Sequence, residues 1–327
     1  MRIHLQTRPN SPADFPLDLA VWEAAAARAP DVSAGHQVSF GDDAAAFEAA
    51  APEMEVLIAQ TGALAKRLPF AAPKLRMIYC TSAGLDPLAP FDWLPPEVAL
   101  LNNRGTHAAK AGEYGIMALL MLASRLPPLL QAQRDGEWRP LHGSVLAGRH
   151  LVVVGLGSLG GSVAAHARHF GMRVTGVRAT PAPHEHCERV LGLGELDQVL
   201  PDAEFLFLAA PLTPDTRGLL SRERIALLPR NAGVVNIGRG GLVDQDSLLD
   251  ALDTERIAGA VLDVFTPEPV PPGHRLWTTK NLVITPHTSA DDPAIYNDRS
   301  LDIFFTNLRA LRDGQPLPNR FDPARGY

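Results

Sequence analysis

The chain has 327 residues, enough for two domains that each bury a core. Its net charge of −6 argues against a general binder of nucleic acid or anionic membranes. Its 46% hydrophobic and 20% charged residues are the balance of an ordinary globular protein. The two cysteines, Cys80 and Cys187, have neither metal-type spacing nor a disulfide framework. The N-terminus has no apolar signal core, and no apolar run reaches the ~18 residues that span a bilayer, so a soluble, cytoplasmic protein in a reducing compartment is expected.

The N-terminal third alternates short elements. Val38-Ser-Phe predicts a strand, Ala44 to Ala50 a helix, and Val56-Leu-Ile-Ala a buried strand. Leu64-Ala-Lys-Arg-Leu predicts a helix and Leu75 to Cys80 a further strand. Strands alternating with helices imply a parallel sheet. The Pro-rich segment Pro9 to Pro16 carries no readable pattern. After Cys80 comes Thr81-Ser-Ala-Gly-Leu-Asp86, a small-residue loop beyond a strand's carboxyl end, where open α/β sheets bind ligands. Taken alone it reads as a simple turn.

Ala108 to Arg125 is apolar over most of its surface and predicts a helix buried on several sides, its methionines in the core. Pro127-Pro128 should stop it. A polar stretch, Gln131 to Arg139, follows.

The chain is organised around Leu151-Val-Val-Val-Gly-Leu-Gly-Ser-Leu-Gly160. Four apolar residues run into Gly155-x-Gly157-x-x-Gly160, an Ala-rich helical pattern follows, and a second strand, Arg173 to Val177, lies beyond Gly171. In a dinucleotide-binding turn the first glycine makes the tight turn, the second admits the pyrophosphate, and the third lets helix and strand pack closely. Ser158 and Leu159, inside that turn, are expected to line the cofactor. His184-Glu-His-Cys187 has the residue types of a metal site, but the spacing is cramped, and no metal is expected.

Further strands follow at Glu204 to Ala210, Ala232 to Ile237, Ala258 to Asp263 and Leu282 to His287. Each ends in a loop carrying polar residues to what should be one edge of the sheet. Leu301 to Leu311 predicts an amphipathic helix that returns to the N-terminal domain. Arg239, Glu268 and His287 all sit just after strand ends, where they should face one cleft.

The motifs Gly155-x-Gly157-x-x-Gly160, Val235-Asn-Ile-Gly-Arg-Gly-Gly-Leu-Val-Asp244, Leu262-Asp-Val-Phe-Thr-Pro-Glu-Pro269 and Thr285-Pro-His-Thr-Ser289 stand in this order. Together they resemble the D-isomer-specific 2-hydroxyacid dehydrogenases over nearly the whole chain. Within that family they resemble the glyoxylate/hydroxypyruvate reductases. The resemblance implies that Arg239 binds and polarises a 2-oxo acid, that His287 is the acid/base, and that Glu268 pairs with it. It implies that Ser82, Ala83 and Gly84 hold the substrate carboxylate through backbone N–H groups, which reverses the plain-turn reading of that loop. It also implies cofactor contacts from Pro211, Thr213, Ile237, Gly238 and Asp263.

The chemistry fits these roles. An imidazolium gives a proton near neutral pH, a neighbouring carboxylate favours that charged form, and a guanidinium offers a planar fork to carboxylate and carbonyl oxygens. Members that prefer NAD usually end the second strand in an acid, which accepts from the ribose 2′-OH. Here that strand ends in Arg178, which would attract a 2′-phosphate, so NADP(H) is favoured over NAD(H), with NAD(H) possible.

The expected fold is α/β, with two Rossmann-like domains built on parallel sheets. A flavodoxin-like substrate domain would take residues 1–102 and 288–327, and a dinucleotide-binding domain residues 103–287, the two hinging over a cleft. The family is usually dimeric, and the apolar helix at Ala108 is the natural interface. Ending soon after its last helix, the chain is expected to lack the regulatory domain of longer phosphoglycerate dehydrogenases. The alternatives are a D-2-hydroxyacid dehydrogenase of another specificity, such as for phosphoglycerate, and a non-catalytic dinucleotide sensor on the same fold.

Overall fold

The computed structural model describes residues 1–9 and 15–326; five positions of the Pro-rich segment fall outside them. Among the described residues, twelve strands form two parallel sheets. Each sheet belongs to one of two compact units: Met1–Thr106 with the chain from Asp292 onward, and His107–Asp291. Both crossings between units lie four residues beyond the expected positions. The reason is local bonding. Asn103 is fully buried in the first unit, where it accepts from the Tyr79 hydroxyl and donates to Thr81 O and Ser300 Oγ. Thr288 and Ser289 are held in the second unit by Asp263.

The first unit carries β1 (Arg2–Gln6), β2 (Gln37–Gly41), β3 (Val56–Ala59), β4 (Met77–Cys80) and β5 (Ala99–Leu101) in the order β2-β1-β3-β4-β5, which is flavodoxin-like. β1 was not expected from the sequence. Its alternating polar residues are nevertheless buried, because His4 Nδ1 bonds Ser39 Oγ and His4 Nε2 bonds Gln6 Oε1, at 2.9 and 3.0 Å. The helix Tyr296–Arg312 packs here, as expected. Phe304 and Phe305 are fully buried against Trp22, with ring centroids 5.9 and 5.1 Å away. Each such burial contributes roughly 1.5–3 kcal/mol.

The second unit carries β6 (His150–Val154), β7 (Arg173–Val177), β8 (Arg189–Leu191), β9 (Phe205–Leu208), β10 (Gly233–Asn236), β11 (Gly259–Leu262) and β12 (Leu282–Ile284). Their order is β12-β11-β10-β9-β6-β7-β8. The chain builds outward from β6 through β7 and β8, then returns to β9 on the other flank. That reversal opens a crevice beyond the carboxyl ends of β6 and β9, where dinucleotides bind in such sheets. Strands β6, β9, β10 and β11 are buried along their whole length, which accounts for their continuous apolar sequences.

The helices Ala108–Ala123 and Ser158–His169 cross closely over this sheet. A Cβ on Gly112 would lie 2.5 Å from Ser162 Oγ, and one on Gly115 2.6 Å from Val163 Cγ2, so glycine sets the approach. Two expectations for this region are corrected. The first helix ends at Ala123 because Arg125 turns left-handed at φ 58°, and Pro127-Pro128 then open a second helix, Leu126–Asp135, where a polar stretch was expected. Proline fits that first turn because its missing N–H has no helical partner there. Met117 is 39% exposed rather than in the core.

Candidate active site

The glycine turn follows β6 directly. Gly155 has φ 94°, and a Cβ there would sit 2.6 Å from Ala210 N, so the β6 and β9 loops touch at the crevice. A Cβ on Gly160 would fall 1.9 Å from Gly155 O, so only glycine lets the helix Ser158–His169 start this close to its strand. Around Gly157, the N-cap of that helix, the space is open to 4 Å. Tight first and third glycines with an open second one form a cradle into which a pyrophosphate fits, with Ser158 and Leu159 opening the helix behind it.

The loop after β9 holds Pro211 and Thr213. The buried Thr216 staples it: its hydroxyl donates to Pro211 O at 2.6 Å and accepts from Thr213 N–H at 2.8 Å. Sequence reasoning did not single out Thr216. Ile237 and Gly238 follow β10. Gly238 approaches the β9 loop so closely that a Cβ would stand 2.7 Å from Ala210 O. Arg178 follows β7 and is half-buried, its N–H bonded to Leu191 O at 3.0 Å.

Arg239 comes next after Gly238. Its carbonyl accepts from Asn236 Nδ2 at 2.9 Å, and its Nη1 donates to Gly238 O at 2.8 Å. These bonds hold the guanidinium against its own loop. On the neighbouring loop, Glu268 Oε1 accepts the Phe265 N–H at 2.8 Å and Oε2 faces His287 Nδ1 at 2.8 Å. Both carboxylate oxygens are thus committed, and Nε2 of His287 is the nitrogen left for a reactant.

His287 has φ 55°, the left-handed region, and its N–H bonds Asp263 O at 2.9 Å. The loop is held by Asp263, whose carboxylate is buried. Oδ1 accepts from the Thr285 hydroxyl at 2.6 Å and the Thr288 N–H at 2.9 Å, and Oδ2 accepts the Ser289 N–H at 3.1 Å. This carboxylate turns into the His287 loop. Such bonds are what keep a residue in a sparsely populated backbone region.

A further residue was missed. His107 precedes the helix Ala108–Ala123, with Nδ1 3.2 Å from Ala290 O and 3.5 Å from Asp291 Oδ1. Burial holds this imidazole below its ordinary range. Asp291 opposes that, and the positive charges of Arg239 and His287 add to it. His107 therefore lies within electrostatic reach of Arg239 and His287 in the second unit, and the Arg239 guanidinium gives that region a fixed positive charge suited to an anionic substrate. Only the packed structure brings His107 there, since nothing in its sequence neighbourhood marks it. Ser82, Ala83 and Gly84 lie in the first unit, where Asn103 N–H and Asn102 Nδ2 engage the Ser82 and Ala83 carbonyls, each at 3.0 Å. Among the described residues, no three His, Cys, Asp or Glu side chains are grouped to hold a metal ion.

The family model for "D-isomer specific 2-hydroxyacid dehydrogenase, NAD binding domain" matches residues 116–289. The chain belongs to the D-isomer specific 2-hydroxyacid dehydrogenase family. It is thus an NAD(P)-dependent oxidoreductase on the two-sheet fold described above. The mouse glyoxylate reductase/hydroxypyruvate reductase is 33% identical over 260 residues, covering 78% of this chain and 79% of the relative. A family member from Xanthobacter autotrophicus Py2, solved with NADPH and MES, superposes with a TM-score of 0.82 at 29% identity, covering 99% of both chains. An NADPH-dependent glyoxylate/hydroxypyruvate reductase from Sinorhizobium meliloti, solved with NADP and sulfate, has a TM-score of 0.81 at 26% identity. The match covers 100% of this chain and 99% of that one.

Proposed function

We propose that this protein reduces a small 2-oxo acid of the glyoxylate or hydroxypyruvate kind to its 2-hydroxy acid, with NADPH as the preferred cofactor. The observation that carries this reading is the His287–Glu268 pair at 2.8 Å, in the same unit as Arg239 and the glycine turn. Glu268 holds the proton on Nδ1 and fixes the ring, leaving Nε2 as the nitrogen that donates to the carbonyl oxygen. Arg239 receives the carboxylate and stabilises charge developing on that oxygen. Ser82, Ala83 and Gly84 add backbone N–H groups for the carboxylate. The bound nicotinamide supplies the hydride.

Gly155, Gly157, Ser158, Leu159 and Gly160 would hold the pyrophosphate, with Pro211, Thr213, Ile237 and Gly238 lining the rest of the cofactor. Arg178 would face the ribose 2′ position, and NADPH in the similar Xanthobacter structure supports that choice. We assign Asp263 to holding the His287 loop, because its buried carboxylate already accepts three hydrogen bonds there, alongside the cofactor contact that the resemblance implies for it.

A homodimer is the assembly this reading favours. Met117 and Leu120 on the helix Ala108–Ala123 are each 39% exposed, and Trp138, beyond the next helix, is 96% exposed. A reducing cytoplasm fits Cys80 and Cys187, both free thiols. No single helix among the described residues is long and apolar enough to cross a membrane. Steady-state assays of NADPH oxidation with glyoxylate, hydroxypyruvate and larger 2-oxo acids test the proposal. Turnover should favour the small acids, and no turnover with any of them would reject it.

A further inference from the structure

The loop between β7 and β8 brings a histidine beside the cofactor turn. Arg178 ends β7, and His184 follows in the loop, half-buried. His184 Nδ1 accepts the His186 N–H at 3.3 Å, so the neutral ring carries its proton on Nε2. That Nε2 lies 3.2 Å from where a Cβ on Gly161 would be, over the first turn of the helix Ser158–His169 and next to the Gly155–Gly160 turn. Gly161 leaves the room that the imidazole occupies. The ring is thereby anchored at one nitrogen, with its other nitrogen a donor at the helix start.

We propose that His184 is a second recognition residue for the cofactor's 2′-phosphate, donating from Nε2 alongside Arg178. The inference rests on the NADPH reading above. The charged and titratable groups around the ring are His186, with its ring centroid 5.6 Å away, Glu185, Arg178, and Cys187, whose Sγ is 3.9 Å from Nδ1. Burial first, then His186 and Arg178, hold this imidazole below its ordinary value, against the pull of Glu185. It is therefore mostly neutral near pH 7 without cofactor. A phosphate dianion beside Nε2 favours the imidazolium, so binding NADPH draws a proton onto His184. The 2′-hydroxyl of NADH brings no charge and draws none.

Calorimetric titration of the full-length protein with NADPH and with NADH, at pH 7 in two buffers of different ionisation enthalpy, tests this. Wild type, His184→Gln and Arg178→Asp are compared. The 2′-phosphate itself titrates near pH ~6, so the difference between wild type and His184→Gln isolates the imidazole. The wild type should take up more protons with NADPH than His184→Gln does, while the NADH titrations should match. His184→Gln should weaken NADPH binding by about 3- to 10-fold more than NADH binding. Identical proton uptake in the two proteins, or equal weakening of both cofactors as stacking on adenine would give, overturns the assignment. A preference for NADPH that is undiminished in His184→Gln and lost in Arg178→Asp overturns His184 alone. A wild type that binds both cofactors equally overturns the NADPH reading and the His184 assignment together.

Discussion

The Thr285 hydroxyl donates to Asp263 Oδ1 at 2.6 Å. Its single proton is used there, so at 2.7 Å from Tyr114 it acts as the acceptor. A chain of bonds thus runs from the helix Ala108–Ala123 through Thr285 to the carboxylate that moors the His287 loop. Asp263→Asn replaces one acceptor oxygen with an NH2 facing donors inside a buried site. It should cost about 2–3 kcal/mol in chemical denaturation and lower kcat as His287 loses its mooring. A loss below about 0.5 kcal/mol with kcat intact would show that the loop does not depend on Asp263.

Glu268→Gln keeps an acceptor but removes the charge that balances an imidazolium on His287. The reduction rate should fall by about tenfold or more. A reduction rate equal to that of the wild type would remove Glu268 from the proton-transfer step.

Arg239→Lys keeps a positive charge but loses the planar fork that Gly238 O orients at 2.8 Å. The expected loss in kcat/KM for the 2-oxo acid is about 10²- to 10³-fold, with NADPH affinity changed by less than about threefold. Equal weakening of cofactor binding, read by fluorescence titration, would place the guanidinium at the dinucleotide instead.

Acid should destabilise the fold through two histidines. Burial lowers both His4 and His107 from the ordinary imidazole value of 6.5. Well above pH 6.5 both rings are neutral, folded or unfolded. As pH falls through 6.5 the unfolded chain binds protons first, so stability declines until the folded pKa values are passed. His4→Gln and His107→Gln should therefore each flatten the drop in thermal midpoint between pH 7 and pH 5, a window of about two units around the imidazole range. A wild-type midpoint that does not change across that window would contradict this account.

Much of the fold and site could be read from the sequence. The strands β6 and β9 to β11 are short apolar runs, and Arg239, Glu268 and His287 sit on loops that follow three neighbouring strands of one sheet. What escaped notice depends on distant partners. β1 hides its polar face through bonds to Ser39 and within His4 and Gln6. β5 and β8 are three residues long, too short for a period to appear. His107 and Thr216 owe their roles to groups reached only when the loops pack, and Met117 looked like core because its helix is apolar on nearly every face.

The central claim is that His287 donates the proton in a reduction driven by NADPH. The most direct measurement is the rate of NADPH oxidation with glyoxylate by wild type and His287→Ala, with NADPH binding measured in parallel. The wild type should turn over, and the variant should lose about 10²- to 10⁴-fold in rate while still binding NADPH. A variant that keeps the wild-type rate, or a wild type that binds NADPH yet oxidises none of it with glyoxylate, hydroxypyruvate or larger 2-oxo acids, would contradict the account.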